Sequence, residues 1–188
     1  MKKECLTAHT RLDTVIGTPD GKVIITVHFV SFHFMFGLLF DNKTAIQTAL
    51  KFQEVKRALT AGTFSDLMPV MLADNGGEFS DVSTFENNLE GEKETCLFFC
   101  DPMQSCQKAQ IEKNHTLFRD IVPKGSSFDH FTQDTVNLIF LTSMASVATF
   151  TAASLPMRCL RSLFPRNWLL FWVSRMLRRK MSCSLLGF

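Results

Sequence analysis

Leu12-Asp13-Thr14-Val15-Ile16-Gly17 sets a carboxylate inside a short run of apolar and β-branched residues. Such runs form strands, so a strand from Arg11 to Gly17 carries Asp13. Thr18-Pro19-Asp20-Gly21 follows, with Pro and Gly at turn-favouring positions. Lys22 to Phe29 and His33 to Phe40 are two more β-branched or aromatic runs and predict two further strands. Helix-start candidates come next in Asp41-Asn42-Lys43-Thr44. Ala45, Ala49, Phe52, Val55 and Leu59 then recur at helical spacing until Gly62. Leu67 to Leu72 predicts a fourth strand, although Pro69 inside it cannot donate to a ladder. Thr95 to Phe99 predicts a fifth strand, and Ser105 to Val122 a second long helix. The order βββαβ…βα implies an α/β fold built on a mixed sheet with flanking helices.

Two further stretches share the character of the first. Ala73-Asp74-Asn75-Gly76-Gly77-Glu78-Phe79 delivers Asp74 just past the fourth strand, and Gln107-Lys108-Ala109-Gln110-Ile111-Glu112-Lys113-Asn114 puts Glu112 inside the second helix. Two Asp and one Glu form an all-oxygen, anionic donor set that suits Mg²⁺ or Mn²⁺. A pair of such ions can clamp the attacking and leaving oxygens of a phosphodiester. On the second helix, Lys108, Glu112, His115 and Arg119 fall on one face. One carboxylate among cationic groups makes a metal-and-phosphate face, while Ile111, Leu117, Phe118 and Ile121 supply apolar contacts elsewhere. Each residue also has a plainer reading. Asp-Asn-Gly-Gly by spacing alone is a turn, Asp13 a strand residue, and Glu112 a solvated helix carboxylate. His115 reads as a surface or phosphate-contacting histidine. Lys108, Arg119 and Lys124 are candidate DNA-phosphate contacts that would otherwise solvate a face. Asp101, before Pro102, favours an extended or turn conformation.

At these positions the chain resembles the catalytic domain of bacterial insertion-sequence transposases, the integrase-like Asp-Asp-Glu class, and within it the IS-thirty type. The matching stretches are Asp13-Thr14-Val15-Ile16-Gly17, Asp74-Asn75-Gly76 with Glu78-Phe79, Cys100-Asp101-Pro102, Ser105 with Gln107-Lys108, Ile111-Glu112 with Asn114-His115, and Pro123-Lys124-Gly125. The resemblance spans Leu12 to Ile139. It implies a ribonuclease-H-like fold, with Asp13, Asp74 and Glu112 as catalytic residues and ligands of two Mg²⁺ or Mn²⁺ ions. It also implies metal-dependent DNA cleavage and strand transfer on transposon ends and target DNA, with homo-oligomerisation. The sequence departs from the family at Ala109, where Gly usually precedes the Glu, and at Met103, where Tyr is usual. Both departures point to reduced turnover, and neither removes a ligand.

At 188 residues, the chain suits one domain with a sizeable core. A formal net charge of +2 excludes a global basic field, so DNA binding must come from local patches. The six Cys show no CxxC pair and no accompanying His pair. They read as reduced packing residues of a cytoplasmic protein. Met1-Lys2-Lys3 is not followed by an apolar run, so no signal peptide is expected.

The composition changes after Phe140. No charged residue stands between Thr135 and Met157, and Arg158, Arg161, Arg166, Arg175, Arg178, Arg179 and Lys180 follow. The uncharged run meets the length of a bilayer span, about 20 residues, but it is rich in Ser and Thr and breaks at Pro156. A frameshift fits better. Read one base out of frame, Phe140 to Met144 can encode Ser-His-Ile-Asn, and Ser154 to Ser162 can encode Ser-Pro-Tyr-Glu-Met-Phe-Thr-Phe. Both resemble family motifs in the correct order. The expectation is an integrase-like core over 1–140 and an out-of-frame tail over 141–188. The fold would then be incomplete at the C-terminus and would lack the upstream DNA-recognition region, as in a degenerate remnant. The rival expectations are a non-catalytic DNA- or protein-binding remnant, or a small protein anchored in a membrane through 135–157.

Overall fold

A computed structural model describes residues 9–30, 34–58, 63–100 and 109–144, with the side chains of 9, 63, 109, 110, 112–114 and 144 outside that description. Three strands come first: β1 (His9–Ile16), β2 (Val23–Phe29) and β3 (Phe34–Phe40). Then follow α1 (Ala45–Ala58), α2 (Thr63–Leu67), β4 (Val70–Ala73), a 3₁₀ turn (Gly77–Phe79), α3 (Val82–Glu86), β5 (Cys96–Phe99), α4 (Ala109–Ile121) and α5 (Gln133–Met144). The sheet order is β3-β2-β1-β4-β5. β1 pairs antiparallel with β2, and β2 with β3, whereas β1–β4 and β4–β5 are parallel. This is the mixed sheet with flanking helices expected from the sequence. Pro69 causes no conflict because it precedes β4 rather than interrupting it.

Both faces of the sheet are covered. β2 is buried at all seven positions, so Val23, Ile25 and Val27 serve one core while Ile24 serves the other. The first core joins Leu12 and these β2 residues to Phe52 and Val55 of α1, and to Phe79 and Phe85. The second joins Val15, Ile24 and Met35 to Ile111 and Phe118 of α4, Phe128, and Val136, Ile139 and Phe140 of α5. Phenylalanines fill both: Phe52 and Phe85 lie 4.6 Å apart between ring centroids, Phe118 and Phe140 5.1 Å. Val122, just past the end of α4, joins this core, whereas Ile121 is exposed.

Local hydrogen bonds explain where the helices start. Thr44 accepts from the Gln47 amide and so caps α1. Asp81 caps α3, accepting from the Thr84 amide. Thr132 accepts from the Thr135 amide at the start of α5. Gln133 then fastens α5 to the edge strand β3: its amide donates to Gly37 O at 2.8 Å and its oxygen accepts from Leu39 N at 2.9 Å. This occupies edge groups that would otherwise be open to pairing. The helix runs unbroken past position 140, and Phe140 and Ser143 are buried. Residues 145–188, the greater part of the expected out-of-frame tail, lie outside the described residues, as does the 135–157 run beyond 144. Among the described residues, no helix is long and apolar enough to cross a membrane.

Candidate metal centre

Asp13 belongs to β1, the middle strand of the sheet. Asp74 follows directly on the last residue of β4. The two strands are parallel, with Arg11 opposite Leu72. Two residues further along each strand come Asp13 and Asp74. Adjacent strands lie about 4.8 Å apart, so carrying this register two residues past its last pair puts the Asp13 position, within β1, opposite the Asp74 position just past the end of β4.

α4 crosses the face of the sheet that carries Asp13. Its His115 fixes the contact: Nδ1 lies 3.7 Å from Asp13 Oδ2, and Nε2 lies 2.9 Å from Thr26 Oγ1. The fully buried Thr26 donates its hydroxyl proton to Asp13 O at 3.0 Å. A hydroxyl has one proton, so Thr26 Oγ1 accepts from an Nε2–H of His115. The Asp13 carboxylate is 18% exposed and accepts from the Thr14 amide at 3.0 Å. Glu112 lies on α4 one turn before His115, and its side chain is outside the described residues. Glu112 thus belongs to the same helix that His115 sets against Asp13. Among the described residues, no group of three or more His, Cys, Asp or Glu is arranged to hold a metal ion. Asp13 and Asp74 are hard, anionic oxygen donors on adjacent strands, and that chemistry fits Mg²⁺ or Mn²⁺.

The expected phosphate contacts fare differently. Lys108 lies outside the described residues, and Lys124 is exposed. Arg119 is half-buried and engaged by backbone: its guanidinium donates to Ile16 O at 2.9 Å and to Pro123 O at 3.4 Å, tying the end of β1 to the loop after α4. Burial pushes its pKa down from the ordinary arginine value. His115 is likewise engaged within the fold rather than on its surface.

On the opposite face lies a group that sequence reasoning matched but did not place. Glu78 is buried. It accepts from the Thr14 hydroxyl, 64 residues away in the sequence, and faces Lys43 Nζ at 3.2 Å. The period-two pleat holds the signal: if Asp13 faces α4, Thr14 must face the other way. The partner it meets there depends on the tertiary fold.

No family model matches the chain, and no curated protein matches it. Among solved structures, it is similar to the catalytic core domain of BIV integrase, at 17% identity and a TM-score of 0.48, over 74% of this chain and 82% of that one.

Proposed function

We propose that this chain is an integrase-like DNA strand-cleavage and strand-transfer core of the IS-thirty transposase type, with Asp13, Asp74 and Glu112 holding two Mg²⁺ or Mn²⁺ ions. The observation that supports this most is the parallel β1–β4 register, in which Arg11 stands opposite Leu72, each two residues before an aspartate of the proposed set, together with the seating of α4 against Asp13 through His115. When bound, a metal pair activates the attacking oxygen and neutralises charge on the leaving one. The chain's own contribution is placement. Asp13 and Asp74 would offer oxygen donors from the sheet, Glu112 would add a third from the helix, and His115 with Thr26 would hold the Asp13 segment in orientation. Lys108 and Lys124 would contact DNA phosphates, which gives affinity without sequence information. Assembly on two DNA ends would use a homo-oligomer.

In this reading the copy is a weakly active remnant. Ala109 and Met103 depart from the family pattern, and the segment from 141 on is an out-of-frame tail. The proposed boundary at 140 falls inside α5, which remains regular to Met144. The nucleotide sequence around the Phe140 codon tests the frameshift: one base gained or lost relative to an intact copy is expected.

The decisive experiment incubates the purified chain with supercoiled DNA and Mg²⁺ or Mn²⁺, beside Asp74→Asn. Feeble nicking that requires metal and disappears in Asp74→Asn is expected. Metal binding without any nicking would favour the non-catalytic remnant. Nicking that survives Asp74→Asn would remove the assignment of this site.

A further inference from the structure

Glu78 is fully buried although it is no member of the carboxylate triad. It sits in the 3₁₀ turn that follows Asp74, beside the buried Phe79 of the first core. Its Oε1 accepts from the Thr14 hydroxyl and faces Lys43 Nζ. Its Oε2 is buried with no hydrogen-bond partner among the described residues. A Cβ at position 76 would overlap this carboxylate, so Gly76 is what lets the turn after Asp74 fold down onto it. Burying a carboxylate is unfavourable unless it is paired and hydrogen-bonded, and an apolar residue would serve the core better. What Glu78 supplies instead is directional contact at one particular place.

We propose that Glu78 is a positioning residue for the Asp13–Asp74 pair; this rests on the metal-site reading above. Glu78 grips Thr14, the residue bonded to Asp13, from the sheet face opposite α4. It also underlies the turn at Gly76, two residues from Asp74. A single buried group thus fixes both aspartate segments relative to one another, and Lys43 ties it to the loop between β3 and α1. His115 holds the Asp13 segment from above and Glu78 holds it from below. Groups that orient metal ligands in this way typically change metal affinity by roughly 10–100-fold when removed.

Mn²⁺ titration of the full chain, followed by the electron paramagnetic resonance signal of the free ion and run beside urea unfolding, tests the role. Asp13→Asn should weaken binding severely. Glu78→Gln and Thr14→Val should each weaken it by roughly 10–100-fold, while Thr14→Ser, which keeps the hydroxyl, should bind as the wild type does. If Glu78→Gln fails to fold, the Thr14→Val and Thr14→Ser pair carries the test by itself. Wild-type affinity in Thr14→Val, or equal losses in Thr14→Val and Thr14→Ser, with Asp13→Asn still weakened, would overturn the positioning role alone. Unchanged affinity in Asp13→Asn would overturn the metal-site reading and the positioning role with it.

Discussion

The imidazole of His115 bridges Asp13 and Thr26, with Nδ1 3.7 Å from the carboxylate and Nε2 2.9 Å from the hydroxyl. It is the contact that seats α4 on the sheet beside Asp13. Replacing His115 with Ala should cost about 0.5–1.5 kcal/mol, the net worth of one internal hydrogen bond. Equilibrium urea unfolding measures it. A loss-free substitution would mean that Ile111, Phe118 and Arg119 hold α4 without it.

Arg119 and Lys124 should part company in their effects. The Arg119 guanidinium joins Ile16 O to Pro123 O, whereas Lys124 is exposed. Arg119→Ala should therefore lower the melting temperature. Lys124→Ala should leave stability within about 0.5 kcal/mol and instead weaken DNA binding at low salt, reducing the salt slope by about one charge. Fluorescence anisotropy across a salt series, paired with thermal melts, separates the two. Equal stability losses in both variants would contradict the assignment.

Gly37 is where α5 meets β3. A Cβ there would run into the Phe140 ring and Ile24. Gly37→Ala should destabilise by about 1–3 kcal/mol through overpacking, and Phe140→Ala by about 3–5 kcal/mol through cavity formation. The double variant should lose less than the sum, because removing the ring makes room for the methyl group. Strict additivity in a denaturation cycle would show that α5 does not dock here.

Asp81 provides an acid-sensitive cap. The Ser83 hydroxyl, followed by the Thr84 hydroxyl, holds its carboxyl below the ordinary aspartate value of 3.8. A depressed folded pKa stabilises above the unfolded value and is lost as pH falls through the folded one. Asp81→Ala should cost about 0.5–2 kcal/mol at neutral pH, and its difference from wild type should shrink below pH 3.8. Thermal melts at neutral and acidic pH check the sign; a gap that widens in acid would reverse it.

Lys56 is buried, donates to Thr84 O at 3.0 Å, Phe85 O at 3.1 Å and Asn87 O, and pairs with Glu94 at 3.4 Å. Burial lowers its pKa, opposed by Glu94. Lys56→Met strips the ammonium from these acceptors and should cost about 3–5 kcal/mol, read by the urea midpoint. A neutral result would mean that water replaces the ammonium.

The sequence by itself determined the elements whose pattern is local. The β-branched and aromatic runs of β1, β2 and β3, the spacing of Ala49, Phe52 and Val55 in α1, and the delivery of Asp74 past β4 were all legible. Each follows from periodicity in a window of a few residues. Four elements were not foreseen: α2, the 3₁₀ turn, α3 and α5. The first three are too short for a helical period to register. α5 carries a single charged residue, Asp134, so its sequence shows an uncharged run rather than an amphipathic stripe. Its docking depends on Gly37 leaving space for Phe140 and on Gln133 reaching the edge of β3. Which charged groups leave the solvent depends on long-range packing. A lone charge prefers water, so nothing local to Glu78, Lys56 or Arg119 marks them for the interior contacts they make. Taking these charges out of water requires compensating partners: Thr14 and Lys43 for Glu78, the carbonyls at the end of α3 with Glu94 for Lys56, and Ile16 O for the half-buried Arg119. Those partners are distant in sequence and come within reach only when the sheet and helices have packed.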